Sequence, residues 1–443
     1  MVNIPQQCDV VVIGGGPAGT MAATCLAQKG YEVTLFEKEV HPRYHVGESL
    51  IPHFWRYCDD IGVSQRLEEV GFIEKSGGTV RWSGKLQQMS FKDFAYKRPA
   101  LHVERNEFDA ILIDHARQCG VNVCEQVTVL DANFSDHDGE SQQVKVIPED
   151  VTKPSIVTCK QVIDASGQQS LLAKKFGFRK IDPAFRFASL WGYFDNSDYV
   201  AYGGTVHTHA ELKDTPPTTY VTSLAEVLDG SHSSWNWLWH IPMRETTSVG
   251  IVVDMETLKN AKKKFSGLES FYLDTCNRIP DVKHLLRNAR YREGEFNVIN
   301  NYSYRISEVT RPGYFLCGDA AGFVDPIFSI GVVIGMYSGQ LAAWSVDRCL
   351  RKTAHAETAR ALYSQQLMAR LDLARTLALP NFNAEKDQDG TRELIDLETQ
   401  REQELIAVVA SLTNRSPNVE VMMNQDHAAA ISERILVLDQ LLT

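Results

Sequence analysis

The sequence predicts an α/β protein in three parts: a nucleotide-binding body built on a βαβ unit, an antiparallel sheet set into that body, and a helical C-terminal region. Three observations predict it. A short β-branched strand, Cys8–Ile13, runs into Gly14-x-Gly16-x-x-Gly19, a small-residue helix over Thr20–Lys29 and a second apolar strand, Glu32–Phe36, closed by Glu37. Far downstream, Tyr314-Phe-Leu-Cys-Gly-Asp-Ala-Ala-Gly322 again reads strand, Gly-Asp, small-residue helix start. Between them, from about Phe176 to Ile299, polar and aromatic residues alternate with few helical runs, as strands of an antiparallel sheet do.

Length and charge narrow the function. A chain of 443 residues suits two or three packed regions sharing a cleft. With 56 acidic against 45 basic residues the net charge is −11, which disfavours nucleic acid and anionic membranes as partners. The nine cysteines form no CxxC or Cys/His cluster, so no metal site is expected and the thiols read as reduced core residues. No signal-like segment opens the sequence and no apolar stretch is long enough to span a bilayer; a cytoplasmic protein is expected.

Taken in order, the glycines Gly14, Gly16 and Gly19, with Ala18, let backbone approach a pyrophosphate at a helix N-terminus. Glu37 is placed to accept hydrogen bonds from ribose hydroxyls. The polar loop Pro42–Ser49 then interrupts the pattern of a nicotinamide domain and favours FAD. Within it Arg43, Glu48 and Ser49 can reach the flavin or diphosphate, or Glu48 and Ser49 can cap the helix expected from Pro52 to about Asp60. Gly71–Trp82 reads as a turn into extended chain, with Lys75 beside Gly77 and Gly78, where there is room around it. Arg105 leads a helix to Gln118, capped by Asn106. It can pair with a phosphate or flavin carbonyl, or with Asp109 one turn on. Val121–Val129 is expected as one strand, Ser135–Glu140 as a turn, and Lys160-Gln-Val-Ile-Asp-Ala-Ser-Gly167 as a strand returning to the dinucleotide.

Sheet strands are expected at Ser189–Phe194, Val200–His207, Tyr220–Ser223, Asn236–Ile241 and Thr247–Val253, and a helix over Met255–Thr275. Asp319 follows Gly318, where a carboxylate can hold a ribitol or ribose hydroxyl. From Ser338 the chain reads as helical, with Leu394, Leu397, Leu405, Val408 and Leu412 on one face, Ile431, Ile435, Leu438 and Leu442 on another, and a polar loop over Asn381–Gly390.

Together the glycine fingerprint, Asp164-Ala-Ser-Gly167 and Gly318-Asp319 resemble the FAD monooxygenase superfamily, which implies a hydroxybenzoate-hydroxylase-like fold. Within it, Trp237-Leu-Trp239-His-Ile-Pro242 is similar to the WxWxIP signature of flavin-dependent halogenases. Phe323-Val-Asp-Pro326-Ile-Phe-Ser329-Ile-Gly331 resembles the FxxPxxSxG segment of the phenol and pyrrole branch, and Lys75 matches that family's active-site lysine. The resemblance spans about residues 8–350. Two departures stand out: Ile330 follows Ser329 where the family often has a small residue, and the glutamate of tryptophan halogenases cannot be assigned, so free tryptophan is not the expected substrate.

The resemblance implies FAD, used as FADH2 from a separate flavin reductase, with oxygen and chloride or bromide as co-substrates giving hypohalous acid. Lys75 would then present the oxidant to an electron-rich, phenol- or pyrrole-like small molecule, free or tethered to a carrier protein. Trp237 and Trp239 would keep the substrate from the flavin, and Ser329, Ile330 and Gly331, at a helix start, would hold the halide, with Gly331 also against the cofactor. The alternative is an FAD-dependent monooxygenase or an isoprenoid (geranylgeranyl-type) reductase; a flavin-binding accessory protein without turnover is the third reading. Expected boundaries are 1–74, 105–180 and 300–345 for the FAD-binding parts, 75–104 for an excursion, 181–299 for the sheet and 346–443 for the helical region, in a monomer or homodimer.

Overall fold

The computed structural model describes residues 3–228, 235–378 and 397–412. Its first layer is a six-stranded sheet ordered Thr310–Arg311, Tyr314–Leu316, Gln161–Asp164, Val10–Ile13, Val33–Phe36 and Asn122–Cys124. All neighbours run parallel except the outermost Thr310–Arg311. Val10–Ile13 and Gln161–Asp164 are buried throughout, which is why the first reads as an unbroken apolar run instead of an alternating one.

The helix Pro17–Gln28 packs along the sheet against the helix Gly331–Arg351. Small residues allow that contact, since a Cβ on Gly339 would lie 2.3 Å from the Ala18 carbonyl oxygen.

The second layer is an eight-stranded sheet running Arg290–Tyr291, Phe187–Asp195, Thr247–Asp254, Trp237–Pro242, Thr218–Ser223, Gly77–Trp82 and Lys85–Ser90, with Asn297–Asn300 also paired to Phe187–Asp195. It is antiparallel except where Thr218–Ser223 meets Gly77–Trp82. That parallel joint stitches the excursion after residue 75 into the distant sheet. Alternation then divides the sheet's two faces. Trp191, Tyr193, Trp237, Trp239 and Ile241 join the main core, whereas Leu190, Leu238, Ile251 and Val253 form a second core with the helices Met255–Lys264, Leu268–Arg278 and Pro280–Leu285.

Several local expectations change. Val200–His207 is two short strands, Tyr199–Val200 and Val206–His207, folded back at Gly203 and Gly204, both with positive φ. Val121–Val129 is broken into Asn122–Cys124 and Val127–Asn133 by Gln126, whose φ of 59° no strand accommodates. Met255–Thr275 is interrupted after Lys264, where extended Phe265 and Gly267 close one helix and open the next. Glu104, not Asn106, is the cap residue of Arg105–Gln118. The C-terminal helical reading holds for Ala356–Ala378 and Leu397–Leu412, where Leu405, Val408 and Leu412 are buried. Leu394, the 431–442 face and the 381–390 loop lie outside the described residues.

A buried ion pair fixes the helix Leu397–Leu412. Glu402 meets Arg370 at 2.8 Å, and Arg370 also stacks on Tyr337 and donates to the Tyr57 hydroxyl. This helix packs against Pro326–Phe328, the short turn that precedes Ser329. Among the described residues no helix is long and apolar enough to cross a membrane and no His/Cys/Asp/Glu group can hold a metal; all nine cysteines are free.

The close helix contact generates a prediction. Gly339→Ala must push the two helices apart and is expected to lower unfolding free energy by about 2 kcal/mol. An unchanged urea midpoint would show that the contact is looser than described.

Candidate active site

A cavity of about 620 Å³ runs between the two layers, from Gly14, Gly16 and Glu37 at one end to Trp237, Trp239, Ser329 and Gly331 at the other. A depression of similar volume lies on the other side of the two packed helices, lined by Lys29, Asp60, Tyr337 and Trp344, and contains none of the predicted site residues.

The first end is built as a cradle. Gly16 opens the helix Pro17–Gln28 with no side-chain cap and no acidic residue in the first turn, so the orphan N–H groups of that turn lie at the cavity free of any side-chain acceptor. Glu37 is fixed beside them by accepting the Gly15 N–H at 2.7 Å and the Glu39 N–H at 3.0 Å. Ala18 lines the wall, whereas Gly19 stands behind it, where a Cβ would lie 2.0 Å from the Gly14 carbonyl oxygen. Arg43 reaches toward Glu37 at 3.9 Å and Asp109 at 3.7 Å. Arg105 takes the local option: its guanidinium is bidentate with Asp109 at 2.9 and 3.0 Å, and it also donates to the Val46 carbonyl.

Asp319 faces the cavity, half-buried, and loss of water around it pushes its carboxyl up to about 6, against the pull of Arg105. Glu48 is more enclosed. It accepts from the Tyr193 hydroxyl at 2.7 Å and from the Gly47 N–H at 3.0 Å, and burial raises its pKa.

The other end is walled by indoles. Trp237 and Trp239 share one sheet face, ring centroids 5.8 Å apart, and Trp191 from the next strand but one lies 6.4 Å from Trp239. Gly250 stands opposite both Trp191 and Trp239, and a Cβ there would lie 2.1 Å from the Trp239 ring. The ring therefore lies where a side chain at position 250 would stand. The Trp239 N–H donates to Ser248. The Trp237 N–H is buried on the cavity wall without a partner among the described residues, the kind of donor that a bound polar molecule satisfies.

Lys75 lies one residue behind this wall. The strand Ala100–His102 runs between Ile73–Lys75 and the loop carrying Ser49, pairing Lys75 with Ala100 and bridging His102 to Ser49. A Cβ on Gly77 would lie 1.9 Å from the Met89 carbonyl oxygen, so the glycine permits the crossing that turns the chain beside Lys75. The Lys75 Nζ donates to Ser49 Oγ at 2.8 Å and to the Leu50 carbonyl at 3.1 Å, and stands 5.2 Å from the Phe91 ring centroid. The side chain is 4% exposed, and burial lowers its pKa to about 7.

Ser49 is the junction. Besides Lys75, it contacts Thr219 Oγ1 at 2.9 Å and Ser329 Oγ at 3.2 Å. Thr219 in turn meets His102 Nε2 at 2.8 Å, and His102 Nδ1 meets the Pro242 carbonyl at 2.8 Å. Ser329 has a φ of 57°, a left-handed turn that ends Pro326–Phe328 and precedes Gly331, the first residue of the long helix. Ile330 is buried and does not line the cavity. Sequence reasoning missed Trp191, Tyr193, Thr219 and His102. They sit in strands without motifs, and their only signal was alternation.

The family model of the FAD binding domain matches residues 7–370. The chain is 33% identical over 348 residues to a tryptophan 2-halogenase of Chondromyces crocatus, covering 78% of this chain and 62% of that protein. It is 31% identical over 365 residues to a 1H-pyrrole-2-carbonyl-(peptidyl-carrier protein) chlorinase of Pseudomonas fluorescens, covering 77% and 76%. The myxobacterial chondrochloren halogenase, described as a variant of FAD-dependent halogenases, superposes with a TM-score of 0.75 at 26% identity over 96% of each chain. The chain thus spans less than two thirds of the length of the first of these relatives. The open helix start, the glycine cradle, half-buried Asp319 and the unpartnered Trp237 N–H fit FAD.

The buried amine makes stability depend on pH. With a folded pKa near 7 against an ordinary 10.5, the unfolded chain holds a proton between those values that the folded chain lacks, so stability rises with pH across that window. Below pH 7 the penalty is complete. Lys75→Met is therefore expected to stabilise more at pH 7 than at pH 9.5, by about 3 kcal/mol in urea unfolding. An equal effect at both pH values would place the amine in contact with water.

Proposed function

The chain belongs to the flavin-dependent halogenases, within the family of the FAD binding domain, and we propose that it halogenates an electron-rich, phenol- or pyrrole-like ring. When bound, FADH2 supplied by a separate flavin reductase provides, with oxygen and chloride or bromide, the hypohalous acid. The residues at the helix start, Glu37, Arg43 and Asp319 hold the cofactor, with Glu48 and Ser49 at its inner end. The observation that carries this reading is Lys75, a buried amine joined through one hydroxyl, Ser49, to Ser329 on the cavity wall.

Lys75 holds the oxidant outside the cavity. In the ammonium form the third N–H, aimed at the departing oxygen, makes the halogen more electrophilic, and a pKa near 7 keeps that form populated near neutrality. Trp237 and Trp239 exclude the ring from the cofactor, so that the oxidant passes and the substrate does not. The halide rests on the backbone donor at Gly331, the first residue of a helix and part of the cavity wall. The ring arrives free or carrier-tethered, the second form being supported by the carrier protein in the name of the Pseudomonas relative.

The protein is expected to form trappable hypohalous acid when given FAD, a flavin reductase, NADH and chloride or bromide. Lys75→Ala is expected to go on forming it while halogenating phenols and pyrroles at least about 100-fold more slowly. Oxygenated product without halide would identify a monooxygenase, and unimpaired halogenation by Lys75→Ala would remove the lysine's role.

Replacing Trp237 or Trp239 by leucine is expected to release peroxide in place of product by several-fold. Unchanged coupling of oxygen use to product in both variants would contradict the gating role.

A further inference from the structure

We propose that His102 is a positioning residue for the Lys75 amine, acting through Thr219 and Ser49 along hydrogen bonds that donate in one direction only. The inference rests on the reading of Lys75 as the group that presents the oxidant. The direction follows from what each atom can do. The Pro242 carbonyl can only accept, so its 2.8 Å contact requires a proton on His102 Nδ1. Burial and the nearby Lys75 keep the imidazole neutral, which leaves Nε2 bare and accepting.

Thr219 must therefore donate its one proton to His102, and it can bond Ser49 only by accepting the Ser49 proton. With that proton committed, Ser49 Oγ has two lone pairs left. Two neighbours are placed to donate to them, Lys75 Nζ at 2.8 Å and the Ser329 hydroxyl at 3.2 Å. The hydroxyl's capacity of one donor and two acceptors is then filled.

Two consequences follow. Lys75 always uses two N–H bonds on Ser49 and the Leu50 carbonyl, in the amine as in the ammonium, so one tetrahedral position remains for hypohalous acid. Without the chain, Ser49 could turn and donate to the amine, occupying its lone pair. Ser329, for its part, has its hydroxyl proton directed to Ser49 and its amide to the Pro326 carbonyl, so it cannot also donate to a halide.

The test reads the tautomer and the coupling separately. Long-range proton–nitrogen spectra of the full chain with 15N-histidine, His102 being assigned by its loss in His102→Gln, are expected to show a proton on Nδ1 and none on Nε2. A proton on Nε2 reverses the chain and overturns the proposal. In Thr219→Val, halogenated phenol formed per hypohalous acid trapped is expected to fall about tenfold, the worth of one hydrogen bond, and Thr219→Ser is expected to stay within about twofold of wild type. No fall in Thr219→Val, or an equal fall in Thr219→Ser, also overturns it. The wild-type spectrum needs no turnover, so absence of halide-dependent oxidant would remove the halogenase reading and leave the tautomer to be judged alone.

Discussion

The structure is arranged around the enclosure of one amine. Taking a lysine out of water costs several kcal/mol unless the charge is shed or well solvated by fixed dipoles, and among the described residues Lys75 has no carboxylate partner to relieve it. Its solvation comes from a serine, a backbone carbonyl and an aromatic ring, delivered by two stretches of chain, Ser49-Leu50 and Phe91, on either side of it in sequence. The strand Ala100–His102 makes that convergence possible because it pairs with Lys75's strand on one side and with the Ser49 loop on the other. Displacing the Ser49-Leu50 segment would take away both acceptors that stand in for the amine's water.

The second sheet serves two environments at once. On one face the indoles and Thr219 border the cavity; on the other, aliphatic residues seat three helices. Because the residues alternate, Leu238 and His240 anchor the strand from behind while Trp237 and Trp239 face forward. A strand held from behind keeps its front side chains in register, which a loop could not do. Gly250 completes the arrangement by leaving an indole-sized gap between two strands.

Much of this was legible in the chain because local rules and global fold agree. The glycine fingerprint, the helix Arg105–Gln118 and the indole strand each follow from periodicity and turn chemistry over a few residues. Arg105 shows the limit: spacing offered a cofactor contact and a salt bridge equally, and only the fold places Asp109 beside the guanidinium. Thr219 and His102 were beyond reach for another reason. Their importance comes from the parallel joint between Thr218–Ser223 and Gly77–Trp82, a pairing across some 140 residues that leaves no local pattern. Lys75 on composition alone would be an ordinary surface charge, and its burial is a product of topology.

The Arg370–Glu402 pair gives the distal helix a part in the site. That helix rests on Pro326–Phe328, whose last residue leads directly into the left-handed Ser329. Trimming the chain upstream of Glu402 would strand a guanidinium in the interior and remove the backing of the Ser329 turn at one stroke. A segment that looks like dispensable packing is thus a buttress, tied to the Ser329 turn through Pro326–Phe328 and to the interior through one ion pair.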